Sequence, residues 1–384
     1  MQKIIIIGPA YPLRGGLATF NQRLAKEFNE QGDDCSIYSF SLQYPSFLFP
    51  GKTQYSNELG PKDLKIFSVI NSINPLNWIK IGNRLKKERA DIIVVRYWLP
   101  FMGPALGTIL RRVKKNHHTK IICIADNIIP HEHRAGDKSF TKYFLRSCDA
   151  FITMSAKVMD DLRKFEKDKP ARLVQHPLYD NFGNLISKSE AREKLKIDKK
   201  ELLILFFGFI RKYKGLDILL EAMKILKGNP IPIAIGTEIR NLKLLIAGEF
   251  YEDKKPYEEQ IDKLGIRNNI ILRTHFIPDS EVKYYLCAAD AVIQPYRNAT
   301  QSGVTPLAYY FEKPMIITNV GGLPSLVPHE KAGLVAEPNA KSIADAILRF
   351  YQLGENYFLP HLRSEKQKYS WANLVNAIKE LSES

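Results

Sequence analysis

Short apolar runs rich in isoleucine, valine and leucine alternate along the chain with longer segments of helical periodicity. Runs of about four to eight such residues, separated by helical patterns, are typical of strands buried on both faces of a parallel sheet. The pattern predicts two successive series of strands. They are Ile4–Ile7, Ser36–Phe40, Ile92–Val95, Ile121–Ala125 and Ala150–Met154, and then Leu202–Phe207, Leu242–Ala247, Ile270–Arg273, Ala291–Gln294 and Met315–Thr318.

A polar, lysine-rich stretch separates the two series and predicts a domain boundary near residues 176–200. A chain of 384 residues also exceeds one ordinary hydrophobic core. We therefore predict an α/β protein with a Rossmann-like domain at residues 1–180 and another at residues 181–364. Two doubly wound sheets facing across a cleft bind ligands at the carboxyl ends of their strands.

The positive charge of the chain is concentrated in its first half. Residues 1–180 carry 28 Lys and Arg against 17 Asp and Glu, which is +11 of the total net charge of +15. The basic runs Lys80–Arg89 and Arg111–Lys115 are the most concentrated part of it. Solvated helix faces are one interpretation. The other is attraction to a polyanionic acceptor or to an anionic membrane surface.

Composition also excludes several classes of protein. The basic runs lack interleaved aromatic residues and a recognition motif, which excludes nucleic acid as the expected partner. The four cysteines form no closely spaced pair, so neither disulfides nor a zinc site are expected. The isoleucine run at the start is too short for a signal peptide, and no stretch is long enough to span a membrane. We expect a cytoplasmic protein that can lie on the inner face of the membrane.

Two loops of the first domain carry candidate chemistry. Gly15 and Gly16 open a helix, which is either simple helix entry or a site for an anion on free backbone N–H groups. The fourth strand runs into Asp126, Asn127, His131, Glu132 and further polar residues. Such a cluster at a strand end predicts a role in the cleft. Two histidines two residues apart do not share a helix face, so no metal is predicted.

The second domain begins with a strand, Gly208, and then Arg211 and Lys214 beside the start of a helix. The guanidinium fork of arginine and the point charge of lysine together suit a diphosphate. Farther along, a strand ends in a small polar loop whose backbone N–H groups can bind sugar hydroxyls or phosphate. The residues of this loop are Thr300, Gln301, Ser302, Gly303 and Val304.

These motifs resemble those of the retaining glycosyltransferase family 4 group, which has the GT-B fold. The resemblance extends over nearly the whole chain. It is carried by the Gly15-Gly16 loop, the spacing of Gly208, Lys214 and Gly215, Ala288–Asp290 before a Pro-Tyr strand end, and the segment from Lys313-Pro314 to Asn319–Pro324. Pro130–Glu132 is similar to some members as well.

The resemblance implies a function and roles for individual residues. Arg211 and Lys214 would bind the donor's diphosphate and stabilise the departing nucleotide, without a metal or a cofactor other than the nucleotide sugar as co-substrate. The first domain would receive a glycan or lipid-linked acceptor, and the last helix, residues 365–384, would pack back on that domain. Two departures stand out. The paired glutamates of the family are Ala299 and Leu307 here, and the histidine of many members is Asp126.

Three functional hypotheses follow. The leading one is glycosyl transfer, with Asp126, Asn127 and His131 near the acceptor or the donor sugar. The second is a nucleotide-sugar-binding scaffold of a polysaccharide-assembly system with little catalysis, which the missing glutamates favour. The third is a nucleotide-sugar epimerase, which would need a set of acid and base carboxylates in the cleft; Ala299 and Leu307 disfavour it.

Overall fold

The computed structural model describes residues 1–45, 53–129, 135–228, 242–299 and 302–383. It divides into two compact units. The first comprises Met1–Pro177 together with the C-terminal segment from Ser370, and the second comprises Leu178–Tyr369. No helix within these ranges is long and apolar enough to cross a bilayer.

The first unit is built on one parallel sheet. Its strands, within the described ranges, are β1 (Lys3–Ile7), β2 (Asp34–Leu42), β3 (Lys65–Asn71), β4 (Ile92–Tyr97), β5 (Lys120–Ala125), β6 (Ala150–Thr153) and β7 (Ala171–Leu173). Their order in the sheet is β3-β2-β1-β4-β5-β6-β7, and each pair is parallel. Ile4–Ile7 are fully buried because helices cover both faces. Those helices include α1 (Gly16–Glu30), α2 (Pro75–Glu88), α3 (Gly103–Val113), α4 (Asp137–Leu145) and α5 (Ala156–Arg163).

The second unit repeats this architecture. Its described strands are β8 (Leu202–Phe207), β9 (Leu242–Ala247), β10 (Ile270–Arg273), β11 (Ala291–Gln294), β12 (Met315–Thr318) and β13 (Gly333–Ala336), in the order β10-β9-β8-β11-β12-β13. All of its pairs are parallel. Its described helices are α6 (Lys188–Leu195), α7 (Leu216–Gly228), α8 (Lys255–Lys263), α9 (Val282–Ala288), α10 (Val304–Tyr310), α11 (Leu323–Leu326), α12 (Ala340–Leu353) and α13 (Glu355–Lys366).

The last helix, α14 (Trp371–Glu383), belongs to the first unit. The ring centre of Trp371 lies 4.8 Å from that of Phe20 on α1. At the other end of the helix, the Lys379 ammonium pairs with Asp33 at 2.7 Å. An aromatic contact and an ion pair therefore attach α14 to α1 and to the turn that follows it.

Each sheet reverses its winding direction at one point, between β1 and β4 in the first unit and between β8 and β11 in the second. In open α/β sheets the crevice at such a point, outside the carboxyl ends of the strands, is where ligands bind. The loop that ends at Gly15 follows β1, and the loop that begins at Gly208 follows β8. The topology thus places the predicted glycine loops at the two switch points.

The prediction of two doubly wound, Rossmann-like parallel sheets is confirmed. The pattern missed β3, β7 and β13, and all three are edge strands. An edge strand has only one neighbour, and β3 and β7 expose part of their surface, so their apolar pattern is weak. The third, β13, is a short strand of four residues without an exposed position. The polar stretch expected only to separate the domains contains α6, which is capped by the Ser187 hydroxyl and belongs to the second unit.

A buried network centred on Asp290 holds the second sheet to its helices. One carboxylate oxygen accepts hydrogen bonds from Lys188 Nζ at 2.7 Å and Arg192 Nη2 at 3.0 Å. The other accepts from the backbone N–H of Leu203 at 2.7 Å and from the Tyr351 hydroxyl at 3.3 Å. Asp290 therefore connects α6, β8 and α12. The aspartate of the Ala288–Asp290 motif therefore stabilises the packing of the second unit.

We expect Asp290→Ala to lower the free energy of unfolding by about 3 kcal/mol, because it leaves the buried Arg192 guanidinium without its counter-charge. Urea denaturation followed by circular dichroism measures the change. Asp345→Ala, which removes an exposed acid on α12, is the matched control and should change stability by less than about 0.5 kcal/mol. Equal effects of the two variants would contradict the structural role of Asp290.

Candidate active site

The carboxyl edge of β8 is shaped by two glycines with positive φ. Gly208 has φ of 95° and Gly215 has φ of 68°. A Cβ on Gly215 would lie 1.9 Å from the carbonyl oxygen of Pro295, so the turn before α7 can approach the end of β11 only with glycine there. The close approach brings Lys214, in that turn, to the switch point of the sheet.

Lys214 is buried at this point, with 9% of its surface exposed. Its ammonium lies 3.2 Å from the place a Cβ on Gly208 would occupy, and 5.6 Å from the centre of the Tyr296 ring. Among the described residues, no carboxylate pairs with this ammonium. Burial lowers the pKa of Lys214 to about 8, and the positive charge of Arg211 adds to the effect.

Arg211 lies beside Lys214 on the same loop and is partly exposed. Its guanidinium carbon is 5.2 Å from the centre of the Tyr251 ring, which lies 4.1 Å from the ring of Phe209. The aromatic pair supports the guanidinium through a cation–π contact. Two neighbouring cations, one of them buried, form an anion-binding arrangement that can accept a doubly charged group.

Ser302 and Val304 complete this region. The Ser302 Oγ is 3.3 Å from the Tyr296 hydroxyl and accepts a hydrogen bond from the Val304 N–H at 3.2 Å. A methyl group of Val304 lies 3.6 Å from the Cβ position of Gly208. Gly303 lies between them, at the start of α10. The structure thus brings Gly208, Lys214 and the start of α10 together, while Thr300 and Gln301 lie outside the described residues.

The two positions where the resemblance led us to expect glutamates are apolar and buried. Ala299 is 4% exposed and Leu307 is 6% exposed. The carbonyl oxygen of Ala299 would lie 1.7 Å from a Cβ on Gly321, so the backbone of the next strand-end loop is packed directly against this position. Neither side chain can supply a carboxylate to a ligand.

In the first unit, Asp126 lies at the end of β5 and is held by a buried arginine. Both of its carboxylate oxygens accept hydrogen bonds at 2.6 Å, one from Arg96 Nε and the other from Arg96 Nη2. The guanidinium carbon of Arg96 lies 3.8 Å from the centre of the Phe20 ring. The pair joins the ends of β4 and β5, and Asn127 follows it, half-buried.

The remaining candidates of the first unit are Gly15, Gly16, His131 and Glu132. Gly15 has φ of 102° and precedes the first residue of α1, Gly16, without a side-chain cap. Nothing lies within 4 Å of a Cβ built on Gly15, so the start of α1 is open. His131 and Glu132 lie outside the described residues.

Sequence reasoning missed Arg96 and the support that Tyr296 and Tyr251 give to the two cations. Arg96 is the charged residue within the otherwise apolar strand β4, and a charge in a strand buried on both faces is the signal that could have identified it. In the described part of the chain, no group of three or more His, Cys, Asp or Glu side chains is arranged to hold a metal ion.

Comparison with known proteins identifies both halves of the chain. Residues 14–177 match the family described as Glycosyltransferase Family 4, and residues 187–360 match the family described as Glycosyl transferases group 1. The two matches adjoin at the boundary between the two units and together span most of the chain. The chain belongs to the GT-B glycosyltransferases.

Curated relatives of this GT-B glycosyltransferase are distant. MJ1178 of Methanocaldococcus jannaschii, an uncharacterized glycosyltransferase, is 24% identical over 100% of this chain and 98% of its own length. TuaC of Bacillus subtilis, named for teichuronic acid biosynthesis, is 25% identical over 58% of this chain and 52% of its own length. MJ1607 of Methanocaldococcus jannaschii, another uncharacterized glycosyltransferase, is 30% identical over 49% of this chain and 46% of its own length. The chain spans about half the length of TuaC and MJ1607.

Solved structures of the GT-B fold superpose on nearly the whole chain. Anabaena Alr3699/HepE in complex with UDP-glucose matches with a TM-score of 0.73 and 15% identity over 98% of each chain. Sucrose-phosphate synthase from Thermosynechococcus elongatus matches with a TM-score of 0.73 and 15% identity over 99% of this chain and 98% of its own. At this identity the likeness establishes the fold.

We expect Lys214→Met to stabilise the unliganded protein at pH 7. The buried ammonium has no counter-charge, whereas a methionine side chain carries no charge that must be desolvated. The pKa of Lys214 is about 8 when folded and 10.5 in its ordinary state. This pKa difference lowers the free energy of unfolding by about 3 kcal/mol. The destabilisation is present in full below pH 8 and disappears as the pH rises to 10.5. Urea denaturation at pH 7 and pH 10 measures it. Lys212→Met, at an exposed neighbour, should have little effect. A Lys214→Met protein no more stable than the parent would contradict the buried-charge interpretation.

Proposed function

We propose that this protein transfers a sugar from a nucleoside-diphosphate donor to a glycan, a lipid-linked or a polysaccharide acceptor. The observation that carries the proposal is the buried Lys214 ammonium beside Arg211, with no carboxylate among the described residues to neutralise it. A protein accepts such an uncompensated charge where a ligand supplies the opposite one. A diphosphate carries that charge, and HepE, which shares the fold, has been solved with UDP-glucose.

In the proposed reaction the two cations act on the leaving group. As the bond between the anomeric carbon and the diphosphate oxygen breaks, negative charge develops on the nucleoside diphosphate, and Lys214 and Arg211 stabilise it. Charge stabilisation inside a buried site is the largest single contribution in many enzymes. The acceptor oxygen bonds to the anomeric carbon, and its proton passes to the departing phosphate. We propose that the anomeric configuration is retained, as the resemblance to the retaining family implies. We also propose that no metal is needed, because the two cations take its place.

The sugar end of the donor is proposed to lie against backbone groups. Gly208 leaves room above the end of β8, and Ser302, Gly303 and Val304 lie beside it with N–H and hydroxyl groups. Thr300 and Gln301, by their position in the sequence, are the candidates for contacts with sugar hydroxyls. In the first unit we assign Gly15, Gly16, Asn127 and Glu132 to the acceptor side, with Asp126 and His131 near the reacting sugar. Asp126 would act there as an ion pair with Arg96.

A second candidate is a nucleotide-sugar-binding scaffold with weak or no catalysis. The observation that favours it is the pair of buried apolar side chains, Ala299 and Leu307, where carboxylates would otherwise contact the donor. Thermal-shift screening with UDP, GDP, ADP and their sugars identifies the ligand, since binding to the native state raises stability. Binding without hydrolysis or transfer across that donor panel would establish the scaffold and reject the enzyme.

We expect Lys214→Ala to reduce the transfer rate by about two orders of magnitude or more, the scale of losing one charge-stabilising group. The rate is measured with the donor found by screening, under saturating donor so that weaker binding does not conceal the effect. Lys212→Ala, which removes an exposed cation two residues away, should retain nearly full activity. An unchanged rate in Lys214→Ala would reject the assignment to the diphosphate.

Nucleotide affinity should fall as the pH rises through about 8, because Lys214 is increasingly neutral in the free protein and must take up a proton to bind a diphosphate. Isothermal titration calorimetry at pH 7 and pH 9 measures this, and proton uptake at the higher pH is the second signature. In Lys214→Arg the charge persists, so the dependence should flatten. The same dependence in both proteins would show that another group titrates.

A further inference from the structure

The first unit carries two basic runs, and in one of them, Arg111–Lys115, the structure uses two of the four cations internally. Arg111 donates hydrogen bonds to the Ser147 hydroxyl and to the carbonyl oxygens of Gly107 and Tyr143, and its guanidinium stacks 3.7 Å from the centre of the Tyr143 ring. In the same run, Lys114 pairs with Asp149 at 2.6 Å. These cations bind α3 to α4 and to the segment after it. They are not available as a charged surface.

The other basic run lies on α2 and has three of its cations exposed on the helix surface. Lys80, Arg84 and Lys87 are exposed along one face of this helix. Together with Lys3, Asn83 and Glu88 they line an open cavity of about 590 Å³. Within the described ranges, no carboxylate pairs with Lys80 or Lys87. We call this face, with Lys80, Arg84 and Lys87, the cationic face of α2.

The single carboxylate in the lining does not neutralise that face. Glu88 is paired with Lys3 at 2.6 Å, and the hydrogen bond from Lys3 lowers the pKa of Glu88 despite its partial burial. Arg84 lies 5.3 Å and 5.2 Å from the ring centres of Tyr38 and Phe67, which hold its guanidinium on the surface without cancelling its charge. The lining holds four cations, Lys3, Lys80, Arg84 and Lys87, against this one carboxylate, which leaves a net charge of +3 for an external anion.

The same helix begins with exposed apolar side chains on a well-anchored turn. Leu76 is 78% exposed, and Ile73, just before the helix, is 51% exposed. The Asn74 side chain caps the turn by accepting from the N–H groups of Leu76 and Asn77. The Trp78 indole N–H donates to the Asn71 carbonyl oxygen at 2.7 Å. The two apolar side chains are thus held outward by fixed backbone.

We propose that this face of α2 docks the protein on an anionic lipid bilayer. The cationic face would meet the lipid headgroups while Leu76 and Ile73 enter the boundary between headgroups and acyl chains, as in helices that lie in a membrane interface. A soluble polyanion would use the charges alone and would leave two large apolar side chains in water. The combination of both features on one rigid element is what selects the membrane.

The position of this face in the fold is consistent with delivery of a lipid-carried acceptor. The first turn of α2 follows the carboxyl end of β3, and all strands of the parallel sheet have their carboxyl ends at one edge. Leu76 and Ile73 therefore lie at the edge that also carries Gly15 and Asp126. This last step rests on the proposed function; the docking itself does not.

The test measures the binding of the full-length protein to vesicles by co-sedimentation, without donor or acceptor. We expect binding to vesicles that contain phosphatidylglycerol and little binding to pure phosphatidylcholine, with a steep decrease at high salt. Lys80→Gln/Arg84→Gln/Lys87→Gln should weaken binding roughly 100-fold, since each cation near an anionic surface contributes about fivefold. Leu76→Asp should weaken it as well, through loss of apolar insertion.

Matched controls separate this face from general charge. Lys254→Gln/Lys255→Gln/Lys263→Gln removes three exposed lysines at α8 in the second unit, and Leu185→Asp changes another exposed leucine. Both should bind vesicles like the parent. Equal loss in the controls, or no preference for anionic vesicles, would overturn the proposal. If a soluble acidic polysaccharide bound the cationic face while Leu76→Asp had no effect, the partner would be a polyanion instead. Vesicle binding needs no turnover, so its failure and a failure of sugar transfer are distinguishable.

Discussion

Parallel pairing of every described strand with its neighbours in the sheet is the constraint on which the rest of this structure depends. Parallel strands cannot be joined by a tight turn, so each connection crosses back along the sheet, mostly through a helix that buries one face. All carboxyl ends then meet at one edge, and the winding reverses once in each sheet. The loops after β1 and β8 acquire their positions from this rule, before any of their side chains is considered.

The buried charges of this protein fall into two kinds, those with an opposite charge inside the fold and the Lys214 ammonium without one. Asp126 with Arg96, and Asp290 with Arg192 and Lys188, are charges whose partners lie on neighbouring elements, so their desolvation is compensated within the protein. The Lys214 ammonium is buried to a similar extent and has no such carboxylate among the described residues. Its lowered pKa is the physical expression of that difference. The candidate site is recognisable because its buried lysine lacks the carboxylate partner that the other buried cations have.

Both basic runs of the first unit have similar composition, yet their surroundings make them different. Arg111 is enclosed by carbonyl oxygens and an aromatic ring from α4, whereas Lys80 and Lys87 have solvent beside them. Net charge alone does not distinguish these cases. Only the neighbours supplied by the fold show which cations remain for a partner.

The sequence by itself determined the strands that lie inside the sheets, because a strand buried on both faces must be continuously apolar. It also identified Arg211 and Lys214 as candidates for a diphosphate, because two cations beside a glycine at a strand end suit that charge. The edge strands β3 and β7 were not predicted because exposed positions dilute their apolar pattern. The edge strand β13 was not predicted either, although none of its four residues is exposed. Tertiary structure alone decided that Asp126 is paired with Arg96 and that Tyr296 packs beside Lys214. It also decided that Arg111 of α3 is bound by α4 while Lys80 and Lys87 of α2 face solvent. Those outcomes depend on residues far apart in the chain meeting at close range, and no local pattern encodes such a meeting.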